Sequence, residues 1–390
     1  MNDLCLKIEN ARAQFAKNVL LRHRLLDPGR SPARETGHVV FPLTSMPGQS
    51  VQNEIGHPFE LVRGACKPSS KRGRGTLVEL LDGKLPRELL PLVPRSFSIT
   101  GRTCILELDP TLDPFRDAIA KALYRLHPAV ETIYAKASGR EGAFRTRELE
   151  LVNGPDDPTT THVENGYTFH LDIKEVFFDP RLGNEHGRVV EAIRSSQGPG
   201  GHVVLDLFCG AGPFIVPLSR VPGIVTWAVD MNLVAIDLAK DNVKRNKGDM
   251  DSLHVFCMDA MHFLNVELPR HSPPPAFDAI LMNLPSDAHR FLEPATPWLS
   301  DRGKIFFYTI APALFEGKRV EGMAAKTSID GLLAPRNGER EAAPADEIER
   351  ATAIGRAIAS GLEIDVITRV KAYAPYKFIY CIELVHGSST

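Results

Sequence analysis

HVVLDLFCGAGPF, residues 202–214, is the stretch that decides how this chain folds. An apolar run leads into Asp206, and a loop carrying Gly210 and Gly212 comes next before the chain turns helical. The run reads as a buried parallel strand. The two glycines permit a tight turn and a close approach of backbone to ligand. A dinucleotide fingerprint would require a third glycine and a pyrophosphate on the helix start. Here Ile215 occupies that third position, and an acid precedes the loop. An acid there repels a pyrophosphate but suits an ammonium or sulfonium group. S-adenosylmethionine carries both charges and no phosphate, and is the expected ligand.

The pattern recurs downstream. Val225–Val229 ends in Asp230, at the distance where such folds place an acid on ribose hydroxyls. Leu253–Cys257 is followed by Asp259, and Phe277–Met282 runs into Asn283-Leu284-Pro285. Four runs of this kind set their polar groups along the carboxyl edge of a parallel sheet, where open α/β sheets bind ligands. Lys304–Ile310 reads as a fifth strand, and Ile364–Val370 and Lys377–Leu384 as a closing antiparallel pair. The expected fold is α/β: a class I S-adenosylmethionine-dependent methyltransferase domain, Rossmann-like, preceded by two smaller α/β modules.

The chain has 390 residues, 43% of them hydrophobic, enough for two or three domains. Its net charge of −2 gives no overall basic field, so a nucleic-acid partner must be met by a local patch. Residues 63–75, RGACKPSSKRGRG, supply one, with Lys71, Arg72 and Arg74 as candidate phosphate contacts. The six cysteines are scattered, with no CxxC pair, so no metal site is expected and reduced intracellular thiols are. No apolar run reaches the length of a membrane span, and no membrane partner is expected. The expected compartment is the cytoplasm, or the nucleus or mitochondrion in a eukaryote. Arg22, Arg24 and Arg30, with few acids nearby, are compatible with a mitochondrial presequence.

From these features the expected domains are 1–65, a small domain with a helical opening over Ile8–Leu26; a basic linker, 66–76; a second α/β domain, 77–197; and the Rossmann-like domain, 198–390. Residues 315–346, rich in Gly, Ala, Pro and charge without periodicity, read as a flexible surface insertion. Pro180 makes the 177–182 loop irregular, and a helix should restart near Glu185.

RTRELELVNG at 145–154, ENGYTFHLDIKEVFFDPRLGNEH at 164–186, DLFCGAGPF at 206–214 and NLP at 283–285 together resemble the archaeal and eukaryotic tRNA (guanine37-N1)-methyltransferases of the Trm5 type. The resemblance covers about residues 90–390, and the first domain more loosely. It implies a monomer acting on tRNA that carries G37. The first domain would touch the tRNA elbow, while the second and third grip the anticodon stem-loop. It implies Glu185 as general base, Arg145 facing guanine O6, and Asn283 holding the extruded base. Arg181, Phe177 and Pro285 would contact substrate with the basic arm. The cofactor set it implies is Asp206, Phe208, Gly210, Gly212, Asp230, Met231, Asp259, Ala260 and Asn283.

Those residue types suit the chemistry. Guanine N1 is a poor nucleophile until its proton leaves, and a partly buried carboxylate walled by Phe177 and Phe178 can take it. Charge then builds on O6, where a guanidinium stabilises it. A base within a stem-loop must be extruded to react. The chain departs from the family at Phe177, where tyrosine is common, and has His186 after Glu185. The alternatives are the related wybutosine-pathway aminocarboxypropyl transferase and a non-catalytic tRNA-binding protein. The first lacks the NLP turn and the PRL…E loop; the second has no need of an intact ligand loop.

Overall fold

The computed structural model describes residues 4–9, 13, 16–17, 19–20, 23, 25–27, 30–35, 37–56, 58–64, 66, 75–137, 148–273, 275–312, 319–321, 345–374 and 377–387. The chain separates into two compact units, Met1–Arg95 with Asp109–Ala129, and Ser96–Leu108 with Val130–Thr390.

The first unit holds a four-stranded antiparallel sheet of β1 (Leu4–Glu9), β2 (Ala33–Glu35), β3 (His38–Pro42) and β4 (Glu60–Arg63), in the order β2-β3-β1-β4. Leu6, Ile8, Val19, Leu20, Phe41, Val51 and Ile55 form its core, the last two from helix α1 (Gln49–Ile55). The helical opening expected over Ile8–Leu26 is corrected at its start. Ile8 pairs with Val39 in β1, and helix is found further on, at Ala13, Ala16, Val19 and Leu20. Hydrogen bonding on both edges of β1 overrides the local helical spacing. Helix α2 (Leu77–Leu81) starts on a capping box, in which Thr76 and Glu79 satisfy each other's backbone N–H groups. It packs against α3 (Arg116–Leu126), whose buried Ile119, Ala120, Ala122 and Leu123 follow helical spacing.

In the second unit, β5 (Phe97–Thr100), β6 (Thr103–Leu106), β7 (Thr132–Lys136) and β8 (Leu149–Asn153) make one sheet, with β6 and β7 parallel. Next come a hairpin, β9 (Thr159–Glu164) and β10 (Tyr167–Asp172), and helix α4 (Gly183–Ser196). The main sheet has eight strands in the order β13-β12-β11-β14-β15-β18-β17-β16. These are β11 (His202–Asp206), β12 (Ile224–Asp230), β13 (Leu253–Cys257), β14 (Phe277–Met282), β15 (Leu299–Pro312), β16 (Arg319–Glu321), β17 (Leu362–Ala374) and β18 (Lys377–His386). The first five pair in parallel, and β18 closes antiparallel on β15. Helices α5 (Leu233–Arg245), α6 (His289–Ala295) and α7 (Ala345–Ala359) come after β12, β14 and the 322–344 segment. Parallel strands covered by helices must be apolar on both faces, and Val204, Leu205, Ala228, Val229, Ile280 and Leu281 are all buried.

The expected boundaries at 65, 76 and 197 fall between sheets. The compact units are cut elsewhere, because β5 and β6 pair onward to β7 while residues 109–129 pack back on 77–95. Most of the expected insertion, 322–344 within 315–346, lies outside the described residues, as does all of the arm from 67 to 74. Among the described residues no helix is long and apolar enough to cross a membrane.

Candidate active site

The chain leaves β11 towards β12 on one side and reaches β14 on the other, so the sheet order reverses between β11 and β14. A crevice opens at such a switch point, outside the carboxyl ends of the strands. Asp206 and Asp230 end β11 and β12, Met258-Asp259 come after β13, and Asn283 after β14. The loop after β11 has Gly210 at φ +51° and Gly212 at φ +91°, the left-handed region that side chains rarely adopt. A Cβ on Gly212 would also stand 3.0 Å from the Ile215 side chain.

Asp230 fastens this loop. One carboxylate oxygen accepts the Gly210 N–H at 2.8 Å, and the other accepts the Asn232 N–H at 2.9 Å. Burial raises its pKa, and those backbone donors oppose the rise. Asn242, fully buried on α5, donates to the carbonyls of Ala211 at 3.0 Å and His170 at 3.1 Å, and accepts the His170 N–H at 2.6 Å. One side chain thereby joins the glycine loop to strand β10.

A cavity of about 790 Å³ opens over this edge. Phe208, Gly210, Asp230, Met231, Asp259, Ala260, Asn283 and Pro285 line it, as do Phe177 and Arg181 from the loop before α4. Asp259 also caps the turn at 260–262 by accepting the N–H groups of Met261 and His262. Asp206, Gly212 and Glu185 are not among the lining residues. Arg145, Lys71, Arg72 and Arg74 lie outside the described residues.

Asp206 sits behind the wall. It is fully buried, accepts the Phe208 N–H at 3.2 Å through one oxygen, and has no hydrogen-bond partner for the other. Burial, and then the nearby charge of Asp230, push its pKa up to about 7. A buried carboxylate oxygen without a donor is costly, and a cationic ligand group is the natural remedy.

Glu185, in the first turn of α4, is also buried. Arg188 grips it with two bonds, of 2.9 and 2.7 Å, and the Tyr308 hydroxyl donates to it at 3.0 Å. Burial, with Cys381 and Glu185 nearby, holds the Tyr308 phenol well above its ordinary pKa, so it donates as a neutral group. Phe178, expected with Phe177 as an aromatic wall, lines the cavity beside it. Its ring packs on those of His162, Phe169 and His186, while Phe177 is 40% exposed.

Among the cavity residues that sequence reasoning did not assign to the site are Asp179, His186 and Lys371. Asp179 is buried and accepts two bonds of 2.9 Å from Arg181 and a further one from Lys371 on β17. Burial alone would raise its carboxyl, yet those two cations hold it far below the usual range. Lys371 is separated from the loop by nearly two hundred residues, and no local signal announces it. His186 donates or accepts at 2.7 Å with Glu164 of β9, both buried. In the sequence, ENG at 164–166 and EH at 185–186 are linked only by adjacency within one motif.

Residues 160–330 match the model of the TRM5/TYW2 methyltransferase domain, and residues 77–157 that of the TYW2 N-terminal domain. The tRNA (guanine(37)-N(1))-methyltransferase Trm5b of Pyrococcus abyssi is 34% identical over 65% of this chain and 71% of its own length. Trm5b of Methanocaldococcus jannaschii is 29% identical over 81% of this chain and 90% of its own. A solved complex of aTrm5 and tRNALeu superposes with a TM-score of 0.59 at 25% identity, covering 98% of this chain and 99% of that one.

Proposed function

This chain belongs to the Trm5-type tRNA (guanine37-N1)-methyltransferases, and from that membership we propose that it moves a methyl group from S-adenosylmethionine to N1 of guanosine 37 in tRNA. The observation that carries the reading is the convergence of strand-end residues and the 177–182 loop on one cavity. The strand ends suit the cofactor and the loop suits the base.

The residues present fit that cofactor. Asp206 offers a buried oxygen with no donor behind the Leu207–Gly210 wall, suited to a cationic group of the cofactor once that loop yields to it. Asp230 and Asn232 stand at the end of β12 where ribose hydroxyls are bound in such folds, and Asp259 with Ala260 edges the adenine position. When bound, S-adenosylmethionine supplies an electrophilic methyl carbon.

This chain's own side chains would do the rest. Asn283 offers both a donor and an acceptor to a base edge, and Pro285 fixes the turn that presents it. Phe177, 40% exposed at the cavity, gives an extruded base a face to stack on. Arg181, held in plane by Asp179, suits a phosphate of the anticodon loop. Glu185 takes the N1 proton, leaving a lone pair on N1, and Arg145 stabilises the charge gathered on O6. In this structure Glu185 is bonded to Arg188 and Tyr308, so the step requires those bonds to be exchanged for the base.

The test is mass spectrometry of nucleosides from tRNA incubated with the protein and methyl-labelled cofactor. The expected product is labelled 1-methylguanosine at position 37, absent when that position is not guanosine. An unlabelled aminocarboxypropyl nucleoside with the labelled methyl left on methylthioadenosine, or no modified nucleoside at all, would refute the reading.

A further inference from the structure

Glu185 is the first member of an alternating chain of charges that runs from the buried Glu185 and Glu383 out to the partly exposed Lys304 and Asp365. Arg188, which grips Glu185, also reaches Glu383 on β18 at 2.5 Å. Glu383 is 2% exposed and takes Lys304 of β15 at 2.8 Å on its other oxygen. Lys304 in turn holds Asp365 of β17 at 2.8 Å. A carboxylate that only stabilised the fold would need one guanidinium. Here one guanidinium is divided between two carboxylates, and the second is itself compensated from behind by a lysine.

That division has a consequence for a base that must change partners. If Glu185 alone held Arg188, its release towards a substrate would leave a part-buried guanidinium without a counter-charge, at a cost. With Glu383 in place, Arg188 keeps a partner when Glu185 departs or takes up a proton. Lys304 and Asp365 set how strongly Glu383 claims the guanidinium. The charged and titratable groups facing Glu185 are Arg188 on its own helix, Tyr308 on β15, and Cys381 and Glu383 on β18.

We propose that Arg188 is a positioning residue that holds Glu185 away from the cavity until the base engages it, and that Glu383 is the competing carboxylate that allows it to leave. This rests on the reading of Glu185 as the base. The sharing fixes the sign of two substitutions on either side of it. Glu383→Gln gives Arg188 wholly to Glu185 and tightens the hold. Lys304→Met removes the cation behind Glu383, strengthens its claim on Arg188, and loosens the hold. A scaffold role predicts loss in both.

The experiment is single-turnover methyl transfer by the full chain on G37 tRNA, with tRNA and cofactor affinities measured separately and folding checked by thermal melts. Glu383→Gln should slow the chemical step by about tenfold or more with both affinities unchanged, and Glu383→Asp should recover part of the loss. Lys304→Met should react at the parent rate or faster. Combined with Glu185→Gln, Glu383→Gln should add no further loss, as expected of residues acting through one another. Equal losses in Glu383→Gln and Lys304→Met, or a full additional loss in the double variant, would overturn the proposal. Should Glu383→Gln fail to fold, the rate of Lys304→Met decides alone: at or above the parent it supports the sharing, and a tenfold drop refutes it. Glu185→Gln at the parent rate would remove the base assignment itself. Glu185→Gln slow with Glu383→Gln at the parent rate would remove only the sharing of Arg188.

Discussion

At the scale of single residues, Asp206 carries a stability cost that the proposed ligand role would account for. Its folded-state pKa is pushed up to about 7, mainly by burial, above the ordinary value of 3.8. For a carboxyl raised in this way, stability is fully present below the unfolded pKa and is lost as pH rises through the folded one. The window therefore runs from about pH 4 to pH 7, and the cost above it is on the order of 4 kcal/mol. Asp206→Asn keeps the shape without the charge. Its ligand-free melting temperature should match the parent near pH 4 and exceed it by several degrees at pH 8. Cofactor affinity should fall roughly tenfold to a hundredfold, since a neutral amide cannot pair with a cation. Melting curves across this range, with calorimetric titration of the cofactor at pH 8, check both halves. Parallel pH dependence in parent and variant would mean that Asp206 is not the group being titrated.

At the scale of elements, helix α5 acts as a stand-in strand for the β9–β10 hairpin. Asn242 and Asn246, one helical turn apart, exchange paired bonds with the backbones of His170 and Thr168, two residues apart on β10. A helix can satisfy a strand edge only if its amides fall at the spacing of strand residues facing one way, and i, i+4 on a helix does so here. Asn242→Ala leaves buried donors and acceptors at His170 and Ala211 without partners, and should destabilise the second unit by about 2–4 kcal/mol. Denaturant unfolding measures the loss, and hydrogen exchange should show faster opening at 167–172 than in β11. Uniform protection across both elements would refute the role given to Asn242. None of this is legible in the sequence, where Asn242 reads as one polar residue on an amphipathic helix. The strand ends are legible, because each apolar run stops at a polar residue and burial demands that pattern. The opening of the first domain is not, because Leu6 and Ile8 fit either period and only pairing with β3 and β4 decides between them. The surroundings of Glu185 are hidden for a related reason. Tyr308, Cys381 and Glu383 come from strands more than a hundred residues away, brought close by the order β15-β18-β17.

At the scale of the whole molecule, 46 basic side chains are set against 48 acidic ones. A polyanion the size of tRNA is therefore not drawn in by net charge, and binding must depend on where positive charge is concentrated. Several cations near the catalytic cavity are already engaged by carboxylates, as Arg188 is by Glu185 and Lys371 by Asp179. The segment 67–74 differs, since Lys67, Lys71, Arg72 and Arg74 fall within eight residues that contain no acid. Such a run contacts phosphates without reading bases, and each contact releases condensed counterions. Neutralising Lys71, Arg72 and Arg74 together should therefore lower the slope of log affinity against log salt by roughly 2 to 3. The weakening should be equal for every G37-containing tRNA, because phosphate contacts position the substrate but do not select it. The methyl-transfer rate at saturating tRNA should be untouched, since the role proposed for the three is to hold phosphates and not to take part in the chemistry. Filter binding at several salt concentrations, paired with single-turnover rates, separates these quantities. An unchanged salt slope would reduce residues 67–74 to a tether, and a loss confined to one tRNA would mean that the segment reads sequence after all.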